Sequence, residues 1–348
     1  MLTLMRAVLV MLLGCLQPGW AADVADAVRV LMIGNSYTFY NKLPDALMAL
    51  SRKTDCPLVV DSYTVGAMSL RGFLDSEQHA RARRLLEEGD YDWVVLQDQS
   101  QTPAYRPDET LLSVRRWAEL ARAKNTKVLL FLTWAHATKE SGQMRLMVDM
   151  QEKTSLTYCR AAVACGSRVA PVGEAWARWY ELRPEMPLHA RDGSHPNAAG
   201  SYLAACVLHA ALSGKPLKGI PGTLKLGRKE VLRVPGDVAK ELQKTANAAL
   251  KSFESPQEWL RQQAAVDAGR PGLEAVRPML QKGVKAAQVA ELVGKPFYVS
   301  RSRGQVVQQF RLRDGVELCL YCTQRGVVQQ ASITAPGRTV EIIDVSAL

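Results

Sequence analysis

Four short stretches of the chain carry residue types that perform acyl-transfer chemistry when a fold brings them together. Gly34-Asn35-Ser36 sets a hydroxyl directly after an apolar run, Val28-Arg-Val-Leu-Met-Ile33. A serine at a strand-to-helix turn presents its Oγ and its own backbone N–H to one space. This is the geometry of a nucleophile elbow, although Thr38 stands where the full G-x-S-x-G pattern has its last Gly. Asp192-Gly193-Ser194-His195-Pro196 puts a carboxylate and an imidazole on one tight loop. There the carboxylate can hold one ring nitrogen and leave the other free as a base. Gly66 follows a second apolar run, where a glycine eases a turn and leaves its N–H unpaired. Gln97-Asp98-Gln99-Ser100-Gln101 follows a third, and an amide side chain at such a point can donate to an oxyanion. Taken singly, each stretch also has a plainer reading as a helix cap, a turn, a polar loop or a helix start.

The elements that must position these residues are legible in the hydropathy. Val28–Ile33, Leu58–Thr64, Trp93–Leu96, Lys127–Thr133 and Arg168–Val172 read as strands. Helix-length segments separate them at Pro44–Lys53, Ser69–Glu88, Asp108–Lys124 and Gln143–Ala164, and further helices are expected over Asn197–Leu212 and from Pro235 to Phe253. Strict alternation of helices with nearly all-apolar strands predicts a parallel sheet covered on both faces, a three-layer flavodoxin-like α/β fold. Ligands of such sheets bind at the carboxyl ends of the strands, where all four stretches fall. Trp134 and His136 follow the fourth strand and are candidate substrate-binding walls. The loops 101–107 and 138–142 are the expected determinants of substrate choice.

The tail reads differently. Residues 255–271, with Pro256 and glycine-containing turns near Gly269 and Gly272, are expected to be a linker between a catalytic domain over 28–254 and a small α+β domain over 272–348. Two short helices, Leu273–Leu280 and Ala286–Val293, precede five alternating strands, and Asp314-Gly315 between two of these is a hairpin signal.

Together the four stretches resemble the four blocks of the SGNH/GDSL hydrolase superfamily: Ser36 after strand one, Gly66 after strand two, an amide after strand three, and Asp192-x-x-His195 near the domain's end. The resemblance covers about residues 28–254. It implies the SGNH hydrolase fold and an ester hydrolase in which Ser36 attacks, His195 is the base and Asp192 orients it. It also implies an oxyanion hole of Ser36 N–H, Gly66 N–H and an amide. Two departures stand out: Asn35 replaces the usual Asp, and glutamines replace the usual Asn of the third block. Gln97, nearest the strand end, is the expected donor, with Gln99 as second choice. A complete Ser-His-Asp set favours catalysis over the alternative, a non-catalytic envelope binding protein on the same scaffold. The expected substrate is a small-molecule or glycan ester, O-acetyl esters among them. The tail weakly resembles SmpA/OmlA-like envelope domains, which implies a binding module with an envelope partner.

The first residues form an export signal: Arg6, then the apolar run Ala7–Leu13, then Gly19 and Ala21 spaced for cleavage after Ala21. Leu12-Leu13-Gly14-Cys15 also has a lipobox form, which would anchor the protein through a lipidated Cys15. Either route exports the protein, to the periplasm or beyond. Past the leader no apolar run is long enough for a membrane span. The charge, +10 from 44 Lys+Arg and 34 Asp+Glu, is scattered, with Arg81, Arg83 and Arg84 followed at once by Glu87 and Glu88, so no nucleic-acid partner is expected. The sequence has no HExxH, P-loop or GxGxxG, and no metal or cofactor is expected. Cys319 and Cys322 have CxxC spacing, but on a strand such residues face opposite ways, which suits neither a disulfide nor a shared metal.

Overall fold

The computed structural model describes residues 27–140, 143–228, 230–302, 304–335 and 340–347. The expected leader over 1–21, Cys15 within it, and part of the 138–142 loop lie outside the described residues.

Five parallel strands make the central sheet. They are β1 (Val28–Gly34), β2 (Leu58–Thr64), β3 (Trp93–Leu96), β4 (Lys127–Phe131) and, after a hairpin of β5 (Ala137–Glu140) and β6 (Gln143–Leu146), β7 (Arg168–Ala170). Their order is β2-β1-β3-β4-β7, the doubly wound arrangement. Alternate residues of β1 enter two separate cores: Val30 and Met32 lie on one side of the sheet, Leu31 and Ile33 on the other. Burial of both faces is why the strands read as continuous apolar runs.

The covering helices are α1 (Ser36–Phe39), α2 (Leu43–Ser51), α3 (Leu70–Asp75), α4 (Arg81–Glu88), α5 (Thr102–Tyr105), α6 (Pro107–Ala123), α7 (Val148–Cys165), α8 (Val172–Leu182), α9 (Ala198–Ser213) and α10 (Gly236–Ser252). The β8–β9 pair, Thr223–Lys225 with Val231–Arg233, sits between the last two.

Two expectations are corrected. Residues 143–146 pair with 137–140 as a hairpin rather than opening a helix, and α7 starts only at Val148. The expected linker is mostly helix: α11 runs from Pro256 to Ala268, with Ser255 Oγ accepting the Glu258 N–H at its start and Pro in its first turn. Trp259 and Leu260 of α11 pack against the core on the α7 side of the sheet.

Beyond α11 the chain forms α12 (Leu273–Val276), α13 (Ala286–Val293) and an antiparallel sheet of β10 (Tyr298–Ser302), β11 (Gln305–Arg311), β12 (Glu317–Thr323), β13 (Val328–Thr334) and β14 (Glu341–Asp344), in sequential order. Asp314 and Gly315 take φ of 63° and 69°, the left-handed pair that a tight β11–β12 turn demands. Only one face of this sheet is cored. Leu318, Leu320 and Cys322 are buried with Val306, Phe310 and Val289, while Cys319 and Tyr321 on the other face are half-exposed. Cys319 and Cys322 are both free thiols.

Candidate active site

The elbow after β1 is built by Asn35. Its Oδ1 accepts the Tyr37 N–H (3.1 Å) and so starts α1 with Ser36 as the first helical residue. Its Nδ2 donates to Met68 O (2.9 Å) and Asp98 O (3.4 Å), lashing the elbow to the loops after β2 and β3. An aspartate would lack that donor. Beneath the turn, a Cβ on Gly34 would lie 2.3 Å from Thr38 Oγ1 and 2.6 Å from Gln97 Oε1, so the elbow closes only over glycine.

The second loop arrives from the far end of the domain. His189, almost fully buried, pins it: Nε2 lies 2.9 Å from Ala135 O after β4, and Nδ1 lies 2.6 Å from the Tyr180 hydroxyl of α8. The Ala190 N–H donates to His195 O (2.7 Å), and Asn197 Oδ1 accepts the Gly200 N–H to start α9. Gly193 has φ of +70° and packs against β5: a Cβ there would sit 2.3 Å from Ala137 O, while Gly193 O accepts the Ala137 N–H at 2.7 Å and its own N–H donates back to Ala190 O (3.1 Å).

These two constructions meet. His195 Nε2 lies 3.0 Å from Ser36 Oγ, and His195 Nδ1 lies 2.7 Å from Asp192 Oδ2. The other carboxylate oxygen accepts the N–H groups of Ser194 (2.9 Å) and His195 (3.0 Å). An ionised Asp192 at Oδ2 puts the ring proton on Nδ1 and leaves Nε2 as the acceptor facing the serine. Partial burial raises the Asp192 pKa, but the Ser194 N–H, the His195 ring and the His195 N–H outweigh it and hold the group at about 2. Tyr40 stacks on the His195 ring with centroids 4.2 Å apart and planes at 16°. Among the described residues, nothing bonds to the backbone N–H of Ser36 or of Gly66. The arrangement joins a carboxylate, an imidazole and a serine hydroxyl in one hydrogen-bonded row, the grouping that acyl-transfer chemistry uses.

No protein-family model and no curated protein matches the sequence. Among solved structures, the chain is similar to a protein assigned to the SGNH hydrolases from Slackia heliotrinireducens, with 30% identity over 53% of this chain and 99% of that one and a TM-score of 0.47. It is also similar to a DUF4886 family protein from Bacteroides uniformis, with 21% identity over 65% of this chain and 95% of that one and a TM-score of 0.50. The 30% identity extends across nearly the whole of the Slackia protein. The chain belongs to the SGNH/GDSL hydrolase superfamily. Its five-stranded parallel sheet with flanking helices is the SGNH hydrolase fold, followed by the separate antiparallel region.

Within the SGNH frame, two expected site residues stand elsewhere than their roles require. Gln97 has no exposed surface, and its Oε1 accepts the Asn35 N–H (2.8 Å) and the Thr38 hydroxyl (2.9 Å) while Nε2 donates to Asp98 O. It braces the elbow from below and, fully buried, presents no surface to an oxyanion. Trp134 is also fully buried, stacked between Tyr37 (4.5 Å) and Trp176 (4.0 Å), with Nε1 donating to Ser194 O (2.9 Å). It supports the Asp192 loop and has no exposed surface to offer a substrate. The left-handed residue of the turn after β2 is Ala67 (φ 59°), so Gly66 is not there for its φ.

Gln99 and His136 keep their candidacy. Gln99 Oε1 accepts the N–H groups of Gln101 (2.8 Å) and Thr102 (3.1 Å), which turns Nε2 the other way, 3.4 Å from Ser100 Oγ. His136 Nε2 lies between the Ser194 hydroxyl (3.2 Å) and the Ser100 hydroxyl (3.4 Å), and Tyr37 OH closes the row on Ser194 Oγ at 2.8 Å. Burial lowers the His136 pKa, which keeps this second ring neutral beside the triad.

Asp98 is the residue sequence reasoning passed over. Its buried carboxylate accepts the Leu70 N–H at the start of α3 (2.9 Å), the Gln99 N–H (2.8 Å) and the Thr110 hydroxyl of α6 (2.6 Å). It thereby fixes the loops after β2 and β3 against each other. Its only signal was an acidic residue directly behind an apolar strand.

Proposed function

We propose that the protein is an exported serine ester hydrolase that cleaves an O-acyl group through Ser36, His195 and Asp192. The observation that carries this reading is the unbroken chain from Asp192 Oδ2 to His195 to Ser36 Oγ, at 2.7 and 3.0 Å. Ser36 Oγ bonds to the ester carbonyl carbon as its proton passes to His195 Nε2. The carbonyl oxygen takes the negative charge and is held by the Ser36 N–H, the Gly66 N–H and the Gln99 amide. Collapse breaks the bond to the alcohol, which leaves with the proton from His195. Water, deprotonated by His195, then releases the acid and restores Ser36.

The site's openness supports a small acyl group on a bulky alcohol. The Asp192 and His195 side chains are 47% and 26% exposed, so the triad lies at the surface rather than in a deep apolar channel of the kind a long acyl chain fills. His136 is the proposed contact for the alcohol side. Short acyl esters of glycans are the substrate class that fits, and the leader over 1–21 is the proposed means of export. The decisive test is turnover of p-nitrophenyl acetate together with labelling of Ser36 by an organophosphonate. Turnover with no label on Ser36, or neither, defeats the reading.

A further inference from the structure

The C-terminal sheet grips the same helical turn that holds His136. Arg311, on the β11 row opposite Glu317, has a side chain only 15% exposed and reaches across to α7, where it pairs with Asp149 and Glu152. Lys153 adds a second tie, 2.9 Å from Asp149 Oδ2 and 2.8 Å from Glu317 Oε1. Two cations and three carboxylates thus join the two parts of the chain over the first turns of α7.

The opposite side of those turns faces the active site. The Met147 N–H donates to His136 O (2.8 Å), Met150 Sδ accepts the His136 N–H (3.3 Å), and Gln151 Oε1 accepts the Ala135 N–H (2.8 Å). The backbone of His136 is therefore held on both sides by residues flanking Asp149 and Glu152. With Arg311 gone, those two carboxylates stand on one turn with Lys153 and, nearer Glu152, Arg270 left to offset them, and like charges three residues apart repel. A half-buried guanidinium between two carboxylates is also the kind of ion pair whose breakage is felt, since the remaining charges are left partly desolvated.

We propose that Arg311 is a positioning residue of the active site: through Asp149, Glu152 and the first turn of α7 it sets the place of the His136 ring beside Ser194 and Ser100. The C-terminal module is then a buttress of the substrate wall. This rests on the reading of His136 as a substrate contact, and the test separates the two. In the full-length protein, the His136 ring is followed by nitrogen-15 NMR, its signals assigned by their loss in His136→Gln. Arg311→Met should shift those signals and raise KM for p-nitrophenyl acetate about three- to tenfold with kcat within twofold, and Arg311→Lys should restore both. Arg277→Met, which breaks the exposed pair with Glu341 in the same module, should change neither. If Arg311→Met does not fold, Glu317→Gln, which frees Lys153 from the sheet, should give a smaller shift of the same signals. Wild-type His136 signals in a folded Arg311→Met, or in Glu317→Gln where that variant must serve, overturn the inference. A wild-type protein that turns over no ester, with His136 signals that still answer to Arg311, would leave the positioning in place and remove the hydrolase reading instead.

Discussion

The parallel sheet of the catalytic region and the antiparallel sheet of the tail both have five strands, yet they leave different surfaces for use. The first is buried on both faces, with Leu31 and Ile33 in one core and Val30 and Met32 in the other. Only its strand ends are free, and every candidate catalytic group lies on a loop or at a helix start there. The second is buried on one face, and the other keeps Cys319 and Tyr321 half-exposed and turns Arg311 toward α7. A sheet of the first kind concentrates chemistry at a point, while one of the second kind offers an area for contact. Arg311 and Glu317 use part of that area to meet α7.

The largest effects should fall on the strand-end loops. Ser36→Ala and His195→Ala should each lower kcat by about 10⁴-fold or more, and the double variant should be little worse than either, because a triad acts as a unit. Circular dichroism should be unchanged. A tenth of wild-type turnover in Ser36→Ala would detach the chemistry from the β1 elbow and break the comparison at its root.

The two glutamines after β3 sharpen it further. Gln99→Ala should reduce kcat by about 10²-fold with KM nearly unchanged, as loss of one oxyanion donor does. Gln97→Ala instead removes the buried acceptor of the Asn35 N–H and the Thr38 hydroxyl, so its first effect should be on stability, about 1–3 kcal/mol in urea titration. Gln97→Ala with native stability and the larger kcat loss would return the oxyanion role to Gln97.

Why Gln97 lies under the elbow while Gln99 turns toward Ser100 says what a sequence carries. Inside β3 the apolar run is readable because both faces are buried. After Leu96 the chain has left the strand, no period applies, and nothing in Gln-Asp-Gln-Ser tells which side chain turns under the elbow. Asn35 is similar: its Oδ1 cap is legible as a helix start, but its Nδ2 bonds to Met68 and Asp98 depend on two loops brought over from elsewhere. Trp134 looked like a substrate wall by its place after β4, and only the stack of Tyr37 and Trp176 around it shows that the ring is sealed in the core. The β5–β6 hairpin and α11 were hidden for another reason. The helical pattern of Gln143–Ala164 masks a short strand at its start, and Pro256, read as a break, is the first residue of α11. Ser36, Asp192 and His195 were legible because spacing alone joins the last two and the elbow's turn marks the first.

A smaller effect is expected from the junction. A chain ending at Phe253 keeps the triad but loses Trp259 and Leu260 from the α7-side core and Arg311 from α7. The two-domain boundary read from the linker predicts unchanged kinetics on p-nitrophenyl acetate. The packing of α11 predicts a rise in KM of about three- to tenfold, at most ~1.4 kcal/mol in transition-state stabilisation, with kcat little altered. Equal constants for both lengths, in a protein folded by circular dichroism, would make the two regions independent.

The smallest effect separates the regions by acid. All five histidines and all seven tryptophans precede the C-terminal module, so protonation of buried imidazoles, and the fluorescence that reports it, belong to the catalytic region. His189 is the clearest case. Burial lowers its pKa to about 4, against ~6.5 in an unfolded chain. Between those values the unfolded state binds a proton that the native state refuses, so stability falls as pH drops from about 6.5 and levels off below about 4. This one group accounts for a loss of about 3 kcal/mol across the window. His136 and His209 are shifted the same way by burial and add to the slope. His189→Gln can still bond to Ala135 O but cannot titrate. Urea unfolding followed by tryptophan fluorescence should therefore show a variant less stable than wild type at pH 7, whose deficit narrows or reverses by pH 4.5. Parallel pH profiles for the two proteins would mean that His189 takes up its proton without leaving the fold, and that the catalytic loop is held by something other than a neutral ring between Tyr180 and Ala135.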